Sequence, residues 1–442
     1  MIKNLVRWAI ALALAFAASA ALANFHLFRI QQVYSNADGT LQFVVLQESK
    51  NENNEHQWGG QALTASANGV SRQFIFPSDL PSSSTKKKFV LVGTSALFRL
   101  GLITPDYVIP DGFLPTGSGQ VDFANVDALA WDALPSDGDT ALDRTGNSVP
   151  NAARNFAGAS YSLPVGFVAP AAPTNYEGLW WNSPPASESG WGINFTHQGD
   201  TIFATWFTYD LAGKPLWLAM SATKTAPGVY TGDVFVTSGP PFNAVPFSPG
   251  AVTETTVGTA TITFSDATHA TFAYTIDLPT PAALKSAITQ TKNIVRQEFA
   301  VPVPVCTWNG QPNLANATNS QDLWWNFPAS SESGWGINLI HQGDVIFATW
   351  FTYDLAGKSW WLAVVANKLR QGVYTGDLFT TTGPPLNAVP FDPATVVETT
   401  VGTATFIFNS GNNVTFSYTV NGISQTKTIT RQVFAGAGTA CQ

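Results

Sequence analysis

The residues from Gly178, GLWWNSPPASESGWGINFTHQGDTIFATWFTYDLAGK, return from Asp322 as DLWWNFPASSESGWGINLIHQGDVIFATWFTYDLAGK. Trp180 aligns with Trp324, a separation of 144, which holds through VYTGD, GPP, NAVPF, ETTVGTAT and TF-x-YT. Nine extra residues in the first copy, LPTPAALKS, then bring Gln290 into line with Gln425, a separation of 135. A repeat this long is a duplicated domain rather than a solenoid unit, because one copy alone can bury a core.

Within each copy, short β-branched and aromatic runs alternate with turn signals, and no stretch has the period of an amphipathic helix. The first copy reads as WWN, WGINFTHQ, TIFATWFTYD, PLWLAMSA, VYTGDVFVT, TATITFS, ATFAYTI and QTKNIVRQEF. DLAGK is a Gly-containing hairpin turn between two apolar strands. About eight hairpin-connected strands predict an up-and-down antiparallel barrel, with a sandwich as the alternative.

The strands divide into two kinds. In TATITF, Ala260, Ile262 and Phe264 oppose three threonines, and in TFAYTI, Phe272, Tyr274 and Ile276 oppose Thr271, Ala273 and Thr275. Such strands are half-buried. In IFATWFTY, Ile202, Ala204 and Trp206 share one face while Phe203, Phe207 and Tyr209 share the other. One apolar face fills a core. The other needs a cover, from the second copy, the N-terminal region or a ligand.

The remainder frames the duplication. Lys3 and Arg7, a short apolar run and Ala21-Leu22-Ala23 make residues 1–23 a secretory signal peptide, too short to anchor in a bilayer. No later stretch is long and apolar enough to span one. A distinct domain is expected over 24–164, a Pro- and Ala-rich linker over 165–175, copy one over 176–299, a second linker over 300–321 and copy two over 322–442. The two cysteines, Cys306 and Cys441, bracket the second copy. In an exported protein they are expected to pair. The net charge of −8 falls to −10 once Lys3 and Arg7 are removed, which disfavours nucleic acid as a partner. Charged residues make up only 11 % of the chain, beside 15 Trp, 30 Phe and 10 Tyr, as in extracellular β proteins.

In the N-terminal region, FHLFRIQQVYSNADGTLQFVVLQES reads as two strands about an Asn/Asp-Gly turn. With FIFPSDLP (74–81), KFVLVG (88–93) and ALDR (141–144), the order resembles the lamin-tail domain. That resemblance implies an immunoglobulin-like β-sandwich with a binding or attachment role and no catalytic residues. The duplicated part resembles Trp-rich repeats of exported proteobacterial proteins (WWN-x-P, ESGWG-x-N, QGD, TWFTYD-x-x-GK), for which no activity is implied. The fold class expected is therefore all-β: an immunoglobulin-like sandwich followed by two tandem barrels.

Catalytic constellations fit poorly. A Ser189–His197–Asp200 or Ser333–His341–Asp344 triad would have to bridge eight residues of strand, roughly 26 Å. No G-x-S-x-G elbow is present. His197 shares a face with Trp191, Ile193 and Phe195, as His341 does with Trp335, Ile337 and Leu339, so each is expected to close an apolar strand end. HQGD lacks the spacing of a metal site, and neither a metal nor a cofactor is expected. The positive expectation is aromatic binding, with simple core and interface packing of the same residues as the alternative. Trp180, Trp181, Trp191, Trp206 and Trp217 recur as Trp324, Trp325, Trp335, Trp350 and Trp361, and exposed indoles stack on sugar rings. Glu188, Asn194 and His197, with Glu332, Asn338 and His341, are the polar groups near them. The sequence thus predicts a secreted binding or adhesion protein for cell-surface, polysaccharide or protein partners, its oligomeric state open. The rival readings are a hydrolase centred on Glu188 and Glu332, and a purely structural matrix protein.

Overall fold

The computed structural model describes residues 25–164, 174–279, 287–436 and 438–442. The expected signal peptide and most of the first linker lie outside them. The chain forms two compact units, Met1–Pro170 and Ala171–Gln442.

The first unit contains β1 (Phe28–Ser35), β2 (Gln42–Glu48), β3 (Ala62–Ala67), β4 (Val70–Ile75), β5 (Phe89–Thr94), β6 (Tyr107–Ile109), β7 (Gly119–Phe123) and β8 (Asp127–Trp131). Then follow β9 (Thr140–Asp143), β10 (Ser148–Pro150), β11 (Ala153–Arg154) and β12 (Ser160–Tyr161). One sheet has the order β10-β9-β1-β2-β5-β6 and a second β4-β3-β7-β8. Ile30, Val44, Leu46 and Val92 of the first meet Leu63, Val121 and Phe123 of the second around Trp58, making a sandwich. The outer face of the larger sheet is buried too. Tyr34, Phe43, Val45 and Leu91 pack with Ala96 and Leu97 of a short helix, Ser95–Arg99. Burial on both faces explains why QFVVLQE does not alternate.

The second unit holds two closed barrels. The first is built from β13 (Gly178–Asn182), β14 (Gly192–Gln198), β15 (Thr201–Tyr209), β16 (Pro215–Ala226), β17 (Val229–Ser238), β18 (Thr253–Phe264), β19 (His269–Ile276) and β20 (Ile288–Arg296). After β21 (Cys306–Trp308) comes the second: β22 (Asp322–Asn326), β23 (Gly336–Gln342), β24 (Val345–Tyr353), β25 (Ser359–Arg370), β26 (Val373–Thr382), β27 (Val397–Ser410), β28 (Asn413–Val420) and β29 (Ile423–Arg431). A last strand, β30 (Thr439–Cys441), pairs with β21. Neighbours are antiparallel in chain order, and β20 closes on β13 as β29 does on β22. The barrel, not the sandwich, is the outcome for each copy.

The doubly apolar strands are resolved by the same geometry. Ile202, Ala204 and Trp206 turn into the first barrel, with Ile193, Leu218 and Phe272. Phe207 and Tyr209 turn outward and pack on Trp361 of the second barrel, at 4.9 and 6.1 Å between ring centroids. Trp217 likewise packs on Phe351 and Tyr353. The cover is the other copy.

The polar bonds across this interface come in reciprocal pairs, the arrangement of an isologous dimer. Trp217 Nε1 donates to Thr352 O at 2.8 Å, and Trp361 Nε1 to Thr208 O at 2.9 Å. Asn194 Nδ2 donates to Thr349 Oγ1, while Thr205 Oγ1 donates to Asn338 Oδ1. The loops 239–247 and 383–391 are exchanged. Phe242 of the first copy packs against Trp350 and Trp360 of the second, and Phe391 of the second against Tyr209 of the first. At the far end the tails are exchanged. Gln198 Oε1 accepts from the backbone N–H groups of Phe434 and Ala435, and Gln342 Oε1 from those of Phe299 and Ala300.

The expected disulfide Cys306–Cys441 is formed, joining β21 to β30. Beneath it lies a buried ionic junction. Arg431 donates to Asp322 Oδ2 at 3.0 Å and to the carbonyls of Asn319, Gln321 and Gly411. Glu177 Oε2 accepts from His197 N at 2.7 Å. Burial pushes the Glu177 carboxyl well above its ordinary range, aided by the nearby Asp322 charge and opposed by Arg431 and Arg296.

Candidate functional site

The Trp residues singled out in the sequence do not form an exposed platform. Trp180, Trp191, Trp206, Trp217, Trp324, Trp335, Trp350 and Trp361 are all buried, Trp335 being the most exposed at 6 %. They fill the barrels and their interface because the outer faces of β15–β16 and β24–β25 meet each other rather than solvent. Trp181 and Trp325 are half-buried on the barrel walls.

Glu188 and Glu332 are anchors. Glu188 Oε2 accepts from Trp191 Nε1 at 2.6 Å and from Lys292 Nζ at 2.5 Å, with the ammonium 5.0 Å from the Trp191 ring centre. Glu332, Trp335 and Lys427 repeat this. Asn194 and Asn338 belong to the interface already described. Ser189 Oγ donates to Ala186 O and is not brought to His197.

His197 and His341 are clamps. Tyr176 N–H donates to His197 Nδ1 at 3.0 Å, so the neutral ring carries its proton on Nε2, facing Gly199 O at 2.9 Å. Ser320 N and Gly343 O hold His341 in the same way. Burial pushes both imidazoles down to about 4. A neutral ring with both nitrogens engaged is no general base.

What the fold does assemble is a cleft of about 370 Å³ at this end of the first barrel, lined by Tyr176, His197, Asp200, Lys224, Tyr230 and Trp308 among others. The β21–β30 ribbon forms its lid. Thr439 Oγ1 donates to His197 O, and the Trp308 ring lies over Gly199, where a Cβ would come within 3.1 Å of it. Trp308 Nε1 is engaged by Ala435 O, so the indole presents its apolar surface to the cleft. Tyr230 OH lies 3.0 Å from His197 Nε2. Since Nε2 is the donor, the Tyr230 oxygen accepts and its own proton points elsewhere. Lys224 and Asp200 pair at the rim, 3.1 Å apart.

The second copy keeps His341, Asp344, Lys368 and Tyr374 but differs in the walls. Ser320 replaces Tyr176 and Gln371 replaces Pro227. Over Gly343 lies backbone, with Gly343 N donating to Pro302 O, where the first copy has the Trp308 ring. Sequence reasoning passed over Tyr176, Lys224, Tyr230 and Trp308. Trp308 lies in what reads as linker, and only the disulfide two residues earlier hinted that this segment is fixed.

Comparison with protein-family models, curated proteins and solved structures gives no match. Among the described residues no cluster of His, Cys, Asp or Glu could hold a metal ion, and no helix is long and apolar enough to cross a membrane.

Proposed function

We propose that the protein is an exported binding protein of the cell surface or its surroundings, and that it takes a saccharide in the cleft beneath Trp308. One observation carries this reading. An indole face, a Tyr hydroxyl with an uncommitted proton and a Lys–Asp pair converge on a hollow of sugar size. Sugar rings offer apolar C–H faces to aromatic rings and hydroxyls that both donate and accept, which this set answers. The neutral, fully bonded His197 favours binding over hydrolysis. Export is supported by the leader-like start of the chain and by the disulfide. A lamin-tail-like first unit would serve attachment.

The test is retention on insoluble polysaccharides and cell envelopes. Wild-type protein should be retained, and Trp308→Ala should lose at least tenfold in affinity while keeping its fold. No retention of the wild type on any such matrix would sink the reading.

A further inference from the structure

His197 is held so firmly that it decides which way a neighbouring proton points. Its N–H donates to Glu177 Oε2, and its carbonyl accepts from Asn175 Nδ2 and Thr439 Oγ1. On the ring, Nδ1 accepts from Tyr176 N–H and Nε2 donates to Gly199 O. A flipped ring would set carbon against both partners, so the donor stays at Nε2. The Tyr230 oxygen, 3.0 Å from Nε2, must therefore accept. Tyr230 is only 3 % exposed, and its hydroxyl makes no other hydrogen bond among the described residues. Its proton is left for whatever fills the cleft that Tyr230 lines.

The floor of the cleft is thus rich in donors. Each acceptor that His197 and Gly199 supply already receives a proton, whereas the proton of Tyr230 is free. The Tyr176 hydroxyl also makes no hydrogen bond among the described residues, and it stands 3.8 Å from where a Cβ on Gly228, another lining residue, would lie. A sugar hydroxyl can take the Tyr230 proton, but it brings one of its own to a floor whose acceptors are in use, and an unpaired buried donor weakens binding. A carbonyl oxygen has two lone pairs and brings no proton.

Among sugars such an oxygen belongs to a carboxylate or to an acetamido group. The charges of the cleft favour the second. Lys224, its one ammonium, is already paired with Asp200, so no net positive charge offsets the desolvation of a carboxylate. An acetamido group is neutral, and its methyl finds apolar surface in Pro227 and the Trp308 indole. The second barrel repeats the histidine and tyrosine, with Tyr374 OH 3.0 Å from His341 Nε2, but has Ser320 in place of Tyr176. Tyr374 is thus a matched control for Tyr230 in the same chain.

We infer that the cleft selects an N-acetylated amino sugar, whose acetamido oxygen takes the Tyr230 proton, and that His197 is the positioning residue that aims this proton. The inference rests on the saccharide reading of the cleft and names the class of sugar. The full-length protein is titrated calorimetrically with the methyl glycosides of N-acetylglucosamine, N-acetylgalactosamine and N-acetylmannosamine, each against its parent hexose, and with that of glucuronic acid. At least one acetamido sugar should bind about tenfold tighter than its parent, the worth of one hydrogen bond from a buried donor. Tyr230→Phe should bring that ratio close to one, and Tyr374→Phe should leave it unchanged. His197→Phe should lower the ratio as well, because it frees the Tyr230 hydroxyl to turn; a purely structural loss would weaken both sugars of a pair alike and would sink the positioning role. Trp308→Ala should weaken both members of every pair. A parent hexose or glucuronic acid that binds as tightly, or a preference that survives Tyr230→Phe, overturns the acetamido assignment while leaving the cleft standing. If none of these sugars binds, and none of the insoluble glycans retains the protein, both ideas fall.

Discussion

Gly190 faces Val396 of the other barrel so closely that a Cβ on it would lie 2.6 Å from Val396 Cγ2; Gly334 faces Val252 in the same way, at 2.4 Å. Both glycines also hold left-handed backbone, at φ +120° and +123°. Gly190→Ala and Gly334→Ala should therefore each destabilise by about 3 kcal/mol in urea titrations, from strain and overpacking together. Val396→Ala in the Gly190→Ala background should recover only part of the overpacking, since the Tyr209 hydroxyl, 2.9 Å from the added Cβ, remains. Gly250→Ala, with open space about it, is the control and should change little. Equal effects at 190 and 250 would show that the contact does not matter.

The reciprocal indole bonds make a second test. Trp217→Phe keeps the ring contacts with Phe351 and Tyr353 but deletes the donor to Thr352 O; Trp361→Phe does the same to Thr208 O. Each should cost about 1–2 kcal/mol. The two losses should be similar, since the partners are equivalent. A loss confined to one would mean that the interface is less symmetric in solution than its bonds imply.

These contacts mark how far the sequence carries. The eight strands of each copy and the inward faces of Ile262 and Phe272 follow from alternation, a local property. That Phe207 and Tyr209 need a cover is also visible. That the cover is the second copy is not, because nothing local distinguishes a partner barrel from a ligand. The same blindness left Trp217 and Trp361 open between binding surface and interface. Glu188 was legible as a polar group near the Trp residues. Its engagement by Trp191 and Lys292 was not, since Lys292 is 104 residues away in sequence. Trp308 was hidden for the opposite reason: it owes its place to a ribbon made of linker and C-terminus, two segments without pattern.

Acid should weaken the fold through the two clamps. The folded pKa of His197 and His341 is about 4, below the ordinary 6.5, so the unfolded chain takes up these protons first. Their contribution is complete above pH 6.5 and is lost as pH falls towards 4, by roughly 3 kcal/mol each. Glu177 and Asp322, whose carboxyls burial pushes up, act in the opposite sense. The reading is therefore a difference: between pH 7 and 4.5, wild type should lose more stability than His197→Gln/His341→Gln. Identical pH slopes would remove the histidines from the account.

The disulfide gives the last test, because it links stability to the proposed site. Cys306→Ser/Cys441→Ser opens a loop of 135 residues, for a loss of up to roughly 5 kcal/mol in the chain-entropy model. The barrels, closed by their own ladders, should survive at 25 °C with an unchanged far-ultraviolet spectrum. The ribbon would then be held by the β21–β30 pairing, by Trp308 Nε1 on Ala435 O and by Thr439 on His197 O. Ordering Trp308 over Gly199 has an entropic cost that the covalent link offsets in the native protein. Polysaccharide retention should accordingly fall severalfold before any global unfolding is seen. Retention equal to wild type would mean that packing alone fixes the lid, and that the disulfide serves the fold and not the cleft.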